Sequence, residues 1–120
     1  MIEIKNAIIT RATITNERGF ILSAWLNLEY GDGMSQCFGG YSLYLSKESS
    51  HHNSCLMGPN IAGLFIYKVM EIADVEYWDR VPSKTIRVKC DWNKVYAIGH
   101  ITKDIWFDPA KEFESLRKEG

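Results

Sequence analysis

The fold is decided by the stretch GHITKDIWFDP at residues 99–109. It joins the end of a strand-like segment to an aromatic pair and then to a helix start signal. The carboxylate of Asp108 can accept hydrogen bonds from the free amides of a first helical turn, and Pro109 lacks the amide hydrogen that would be unsatisfied there. We therefore predict a C-terminal helix over residues 109–118.

Alternating apolar residues predict strands over much of the chain before that stretch. In residues 6–15 the alternate positions are Ile8, Thr10, Ala12 and Ile14. The alternation is sharper in residues 20–30, where the core-facing set is Leu22, Ala24, Leu26 and Leu28. A hairpin at residues 31–33 then returns the chain into a strand at 35–45, in which one face carries Cys37, Tyr41, Leu43 and Leu45. Two adjacent glycines, Gly39 and Gly40, predict either a bulge inside this strand, which is the favoured interpretation, or a point of close backbone approach.

The second half of the chain predicts a helix followed by another hairpin. Residues 46–59 are polar and aperiodic, which is typical of an exposed loop. Asn60 can cap a helix that runs to about Ala73 and lies across the sheet. Its apolar stripe comprises Ile61, Phe65, Val69 and Ile72. Residues 85–90 and 95–102 then form two strands joined by a turn at 91–94.

This order of elements predicts one α+β domain over residues 1–120. We expect an antiparallel sheet of about five strands, with one helix packed across it and a C-terminal helix. The chain has 46% hydrophobic and 24% charged residues, as an ordinary globular domain has.

Charge and cysteine content exclude several classes of protein. Lys and Arg number 14 against 15 Asp and Glu, so a general attraction to nucleic acid or anionic lipid is missing. The three cysteines are far apart and have no CxxC pairing, which argues against a disulfide framework and a structural zinc site and favours a reducing cytoplasm. The sequence has no signal-peptide pattern and no apolar run of about 18 residues, so we expect no export and no membrane span.

The candidates for catalysis are weak in their spacing. His51, His52 and Cys55 could hold a metal, but a structural zinc site needs four ligands. The intervals of four between His100, Asp104 and Asp108 could place a general base beside carboxylates if the strand continued through them. We therefore predict no catalytic residue, no metal and no cofactor, and rank a metal-dependent hydrolase built on these histidines last.

Backbone amides and basic side chains offer an alternative binding site. Phosphate could be received by the amides of Gly39 and Gly40 together with Arg87 and Lys89, in a small-ligand or nucleotide site at an oligomer interface. The same basic residues could instead line a nucleic-acid surface. They alternate with apolar residues as in any half-buried strand, so a solvated sheet face is the favoured interpretation.

Aromatic residues in the predicted connections are more suggestive than any polar motif. Such residues either fill the corners of a core or dominate protein interfaces. We predict a contact surface of exposed aromatic and acidic side chains, comprising Trp78, Asp79, Trp92, Asp104 and Trp106.

Three segments, ERGFILSAW at 17–25, FGGY at 38–41 and residues 99–109, resemble a small protein family encoded by tailed bacteriophages and prophages. The resemblance implies an accessory protein that acts in the bacterial cytoplasm. Small accessory proteins of that kind often antagonise host defence, either as anti-CRISPR proteins or by sequestering immune signalling nucleotides. The expectation for this chain is an analogy with them. We expect a non-enzymatic inhibitor whose partner is a host defence protein or complex. The alternative is a homo-oligomer that sequesters a small ligand or signalling nucleotide.

Overall fold

Six strands form one antiparallel sheet in the computed structural model, which describes residues 1–17, 21–41 and 61–119. The strands are β1 (Glu3–Glu17), β2 (Ile21–Glu29), β3 (Ser35–Gly39), β4 (Thr85–Cys90), β5 (Val95–Gly99) and β6 (Trp106–Phe107). Their order across the sheet is β3-β2-β1-β4-β5-β6. The helices are α1 (Ile61–Ala73) and α2 (Pro109–Glu119), and a short 3-10 helix spans Trp78–Arg80. The predicted α+β class is confirmed, and the strand beyond the expected five is the two-residue β6.

A bulge in β1 divides its alternating residues between the two faces of the sheet. Ala7 and Ile9 are buried, whereas Ile8 is exposed. Ile9 opposes Leu28 and Arg11 opposes Asn27, so Thr10 is an extra residue without a partner in this ladder. Beyond Thr10 the alternation reverses. The predicted strand is confirmed, but its alternating set does not share one face.

The glycine pair ends β3 rather than forming the predicted bulge within a longer strand. Gly39 and Gly40 have φ values of +129° and +76°, which favour glycine. A Cβ on Gly39 would collide with the carbonyl oxygen of Ala24, and the Gly40 amide donates a 2.8 Å hydrogen bond to that oxygen. Cys37 is exposed while Tyr41 packs against the core, so the prediction that they share a face is wrong. The positions 43 and 45 and the predicted 46–59 loop lie outside the described residues.

Helix α1 packs three residues of its predicted stripe against the core. Phe65, Val69 and Ile72 are buried, whereas the predicted cap at position 60 lies outside the described residues. The helix ends in a Schellman motif, in which the Val75 amide donates to the Met70 carbonyl at 3.1 Å and Asp74 takes a φ of +61°. This motif places the Asp74 carboxylate just beyond the end of the helix.

Aromatic rings fill the space between both helices and the sheet. The ring centroids of neighbouring members lie 5.6 to 6.4 Å apart, and the members are Phe38, Tyr41, Phe65, Phe107 and Phe113. The predicted cap of α2 is confirmed, since Asp108 Oδ1 accepts a 3.3 Å hydrogen bond from the Lys111 amide. Both helices therefore cover the same face of the sheet. In the described part of the chain, no helix is long and apolar enough to cross a bilayer.

The predicted second hairpin is confirmed, but β5 ends at Gly99 rather than at Thr102. At His100 the chain turns, because the ring Nδ1 accepts hydrogen bonds from the Thr102 and Lys103 amides at 3.1 and 3.0 Å. These local bonds compete with continued strand pairing. The turn ends where the His100 amide donates to the Ile105 carbonyl at 3.0 Å and β6 begins.

Candidate functional site

The sheet face opposite the helices, called here the open face, carries large side chains that no described element covers. Directly opposed residues in an antiparallel pair project to the same side, so the register identifies its members. Thr13, Trp25 and Gly39 form one row across it, and Arg87, Gly99 and Trp106 form another. Other residues of the open face are Ile4, Ile8, Arg11, Asn27, Glu29, Cys37 and Lys89.

Trp106 is held at one edge of the open face by cations and a carboxylate. Its ring lies against Gly99, where any Cβ would collide with it. The Arg87 Cζ and Lys89 Nζ atoms lie 4.8 and 4.4 Å from the ring centroid, within the range of cation–π attraction. The indole Nε1 donates to Asp104 Oδ1 at 3.1 Å. Trp106 is thus fixed in one orientation and is only half-exposed.

Arg87 also stabilises the turn that follows β5. Its Nε and Nη2 atoms donate to the carbonyls of His100 and Lys103 at 2.7 and 2.8 Å. A guanidinium can make both bonds at once because its donors form a rigid fork. The side chain therefore joins the open face to the 100–105 turn.

Trp25 borders a groove at the other side of the open face. The groove holds about 440 Å³ and is lined by Arg11, Thr13, Thr15, Trp25, Asn27 and Cys37. The Trp25 ring lies against Gly40, and 38% of the residue stays exposed. Sequence reasoning missed this residue, although the alternation in residues 20–30 already placed it opposite the leucines.

Exposed isoleucines lie on β1 in the open face, with Ile8 near the middle of the sheet and Ile4 at the start of the strand. Ile4 pairs with Lys89, and Ile8 pairs with Glu29 and remains 46% exposed. The described charged side chains of this face are the basic Arg11, Arg87 and Lys89 and the acidic Glu29, with Asp104 at its edge. The open face therefore has an apolar centre with basic side chains around it, although the formal charge of the whole chain is -1.

The five predicted contact residues lie in three places rather than on one surface. Asp104 and Trp106 are hydrogen-bonded at the edge of the open face. Trp78 is half-buried against the core beside the exposed Asp79. Trp92 is 93% exposed in the turn between β4 and β5, at the end of that hairpin remote from Asp104.

The predicted phosphate-binding residues are not brought together. Gly39 and Gly40 lie at the end of β3, level with Thr13 of β1, whereas Arg87 and Lys89 lie on β4 beyond β2 and β1, with Arg87 level with Asn6. The Gly40 amide and the Arg87 guanidinium are also already hydrogen-bonded within the chain.

The turn that carries Trp92 is held by Asp91. Its Oδ1 accepts hydrogen bonds from the Asn93 and Lys94 amides at 2.8 and 2.9 Å, and its Oδ2 accepts one from the Tyr96 hydroxyl at 2.8 Å. The Tyr96 hydrogen bond, followed by the Lys94 amide, lowers the pKa of the Asp91 carboxyl below its ordinary value of 3.8.

The predicted histidine and carboxylate cluster is dispersed. Asp104 binds Trp106 and Asp108 caps α2, while His100 faces neither. His51, His52 and Cys55 lie outside the described residues. Within the described ranges no three His, Cys, Asp or Glu side chains are grouped so as to hold a metal ion.

His100 instead borders a polar cleft of about 320 Å³ between the end of α1 and the 100–105 turn. The cleft is lined by Met70, Glu71, Asp74, Val75, Glu76, His100, Lys103 and Ile105. His100 is only 5% exposed, and its Nε2 has no hydrogen-bond partner. The Oε1 atom of Glu71 is likewise buried without one. Such atoms are rare in folded proteins, because each forfeits the hydrogen bond it would make in water.

No protein-family model, curated protein or solved structure matches this chain.

Proposed function

We propose that this chain is a non-enzymatic binding protein that occupies the surface of a partner protein with its open face. The observation that supports the proposal is the exposure of large apolar side chains along that face, where Ile4, Ile8 and Trp25 are 60%, 46% and 38% exposed. Large apolar side chains that stay exposed on one face are found at protein interaction sites. Rigid strands would lose little conformational freedom on binding, which favours affinity.

The charges of the open face favour an acidic partner. Arg11, Arg87 and Lys89 lie around the isoleucines, and the opposing charges among the described side chains are Glu29 and, at the edge, Asp104. A second copy of the chain would bring like charges together, which opposes association. Single-stranded nucleic acid needs aromatic faces for base stacking, and Trp106 already contacts Arg87, Lys89 and Gly99. A protein with an acidic rim around an apolar patch fits best.

The resemblance to a phage and prophage family makes a host defence component the first partner to test. Occupying its surface would inhibit it without any catalytic group, in the manner of an anti-CRISPR protein. Asp104 and Trp106 lie at the edge of the proposed surface. The other three predicted contacts lie elsewhere, so this proposal does not depend on them.

Site-specific photo-crosslinking in a defence-competent bacterium tests the proposal. The photoreactive amino acid p-benzoylphenylalanine replaces Ile8 in one variant and Ile14 in a matched control. Both isoleucines lie on β1 and are similarly exposed, at 46% and 39%, but they project from opposite faces. We expect the Ile8 variant to crosslink one host protein that the Ile14 variant does not capture.

Three results would contradict the proposal. Equal capture by both variants would mean that the open face is not the contact surface. A crosslink from position 8 to a second copy, with a solution mass of twice 13.8 kDa by light scattering, would make the face a self-association surface. A crosslink to nucleic acid alone would replace the protein partner.

A further inference from the structure

We propose that the polar cleft beside His100 binds a neutral small molecule through a vicinal diol, the pair of adjacent hydroxyls found in ribose and other sugars. The cleft lies on the helix-covered side of the sheet, so this inference is independent of the proposed protein interface.

The tautomer of His100 makes its Nε2 atom a hydrogen-bond donor. Because Nδ1 accepts two amide hydrogens, from Thr102 and Lys103, it carries no hydrogen of its own. The proton of the neutral ring is therefore on Nε2, which makes Nε2 a donor. The nearest carboxylate oxygen, Asp74 Oδ2, is 3.6 Å away and too distant for a hydrogen bond. A buried N–H is thus left without an acceptor in a residue that lines the cleft.

Glu71 supplies the complementary group. Its buried Oε1 accepts no hydrogen bond, and the nearest cation, Lys68 Nζ, is 3.7 Å away. The cleft therefore holds one unpaired donor and one unpaired acceptor. A hydroxyl accepts from an N–H and donates to a carboxylate, so it matches both atoms. Asp74 and Glu76 line the same cleft and offer acceptors to a second, adjacent hydroxyl.

Charge and size limit the ligand further. Lys68 lies 3.7 Å from Glu71 and Lys103 lines the cleft, so these lysines partly compensate the carboxylates that would otherwise favour a cation. An anionic ligand would meet Glu71, Asp74 and Glu76. The volume of about 320 Å³ is roughly ten times that of one water molecule and lies at the lower end for small-molecule sites. Met70, Val75 and Ile105 provide apolar surface for the carbon skeleton of a sugar.

A titration of the 15N-labelled full chain followed by NMR tests the assignment. The probe is methyl β-D-ribofuranoside, and the matched control compound is its 2-deoxy analogue, which lacks one hydroxyl of the diol. We expect saturable shifts of the amides in residues 74–76 and 100–105, with a Kd of about 1 to 10 mM. The deoxy compound should bind at least about fivefold more weakly, because a buried group is left unpaired.

Two variants separate recognition from folding. In His100→Asn the side-chain oxygen can replace Nδ1 as acceptor for Thr102 and Lys103, but the Nε2 donor is lost. Glu71→Ala removes the acceptor and leaves the His100 turn intact. Both should abolish the saturable shifts while keeping the remaining amide spectrum. Asp104→Asn changes the same turn outside the cleft and should bind the ribofuranoside normally.

The proposal is overturned if the ribofuranoside gives no saturable shift at about 50 mM, well above the expected Kd. In that case the cleft holds water only. Equal affinity for the deoxy compound, or unchanged binding by both His100→Asn and Glu71→Ala, would overturn it as well. Saturable shifts with ethylammonium chloride and none with the ribofuranoside would reassign the cleft to cations.

Discussion

The two faces of the sheet hold their large side chains in opposite ways. On the covered face, Phe65 and Phe107 pack ring against ring and are fully buried between the helices and the strands. On the open face, Trp25 and Trp106 each lie over a glycine and remain partly exposed. Burial alone positions the first pair, whereas the second pair needs glycines, cations and hydrogen bonds. The covered face accounts for folding, and the proposed interface lies on the other.

The largest effect is expected on the covered face. Phe65→Ala should lower the free energy of unfolding by about 3 to 5 kcal/mol, because it leaves a cavity among the rings. Ile8→Ala, on the open face, should cost less than about 1 kcal/mol. Urea denaturation measures both values. Similar losses of unfolding free energy in the two variants would show that the two faces are equally buried and would contradict the difference between them.

A smaller effect is expected where a glycine supports a tryptophan. Gly40→Ala should lower the free energy of unfolding by about 1 to 3 kcal/mol, because φ is positive there and the new Cβ meets the Trp25 ring. Gly31 has open space around it, so Gly31→Ala is the control and should change stability by less than about 1 kcal/mol. Equal stability of the two variants would mean that Trp25 can move away from Gly40 without cost.

Binding and stability should separate on β1. Ile8→Lys and Ile14→Lys should each change the free energy of unfolding by less than about 1 kcal/mol, because both side chains are exposed. Only Ile8→Lys places a charge in the apolar centre of the open face, so only it should lose the crosslinked partner, measured by co-purification. Loss of the partner with Ile14→Lys instead would move the interface to the helix side.

The smallest effect concerns the turn at the end of β4, which belongs to neither face. A lowered pKa means that Asp91 contributes stability above its ordinary value of 3.8 and loses it as the pH falls through the folded value. Tyr96→Phe removes the largest cause of the shift, so the pKa of Asp91 should move up toward 3.8. A 13C NMR titration of the carboxyl measures it. Tyr77→Phe is the exposed control, and an equal shift there would show that the Tyr96 hydrogen bond is not the cause.

The elements that were predicted correctly are those in which one local pattern decides the structure. Alternation placed Leu26 and Leu28 in the core, helical spacing placed Phe65 and Val69, and the Asp108 cap was read from two residues. These patterns need no knowledge of distant parts of the chain.

The features that sequence reasoning missed depend on contacts between distant residues or on interrupted periodicity. The strand β6 is too short to show a period, and the end of β5 depends on the His100 ring bonding its own turn. The unpartnered Glu71 oxygen becomes significant only when α1 meets the 100–105 turn. Trp25 could have been found, because an apolar residue on the polar side of an alternating strand is itself a signal.

Thr10 has a consequence for the tolerance of β1 to changes in length. Because this one extra residue reverses the alternation, Ile8 and Ile14 project from opposite sides despite their even spacing. A deletion of Thr10 would join Ile9 directly to Arg11 and replace the bulge by regular pairing, with every remaining residue on its present face. A deletion of a paired residue would instead shift the register by one and exchange inside for outside along the rest of β1, so this segment should tolerate the loss of Thr10 better than the loss of its paired neighbours.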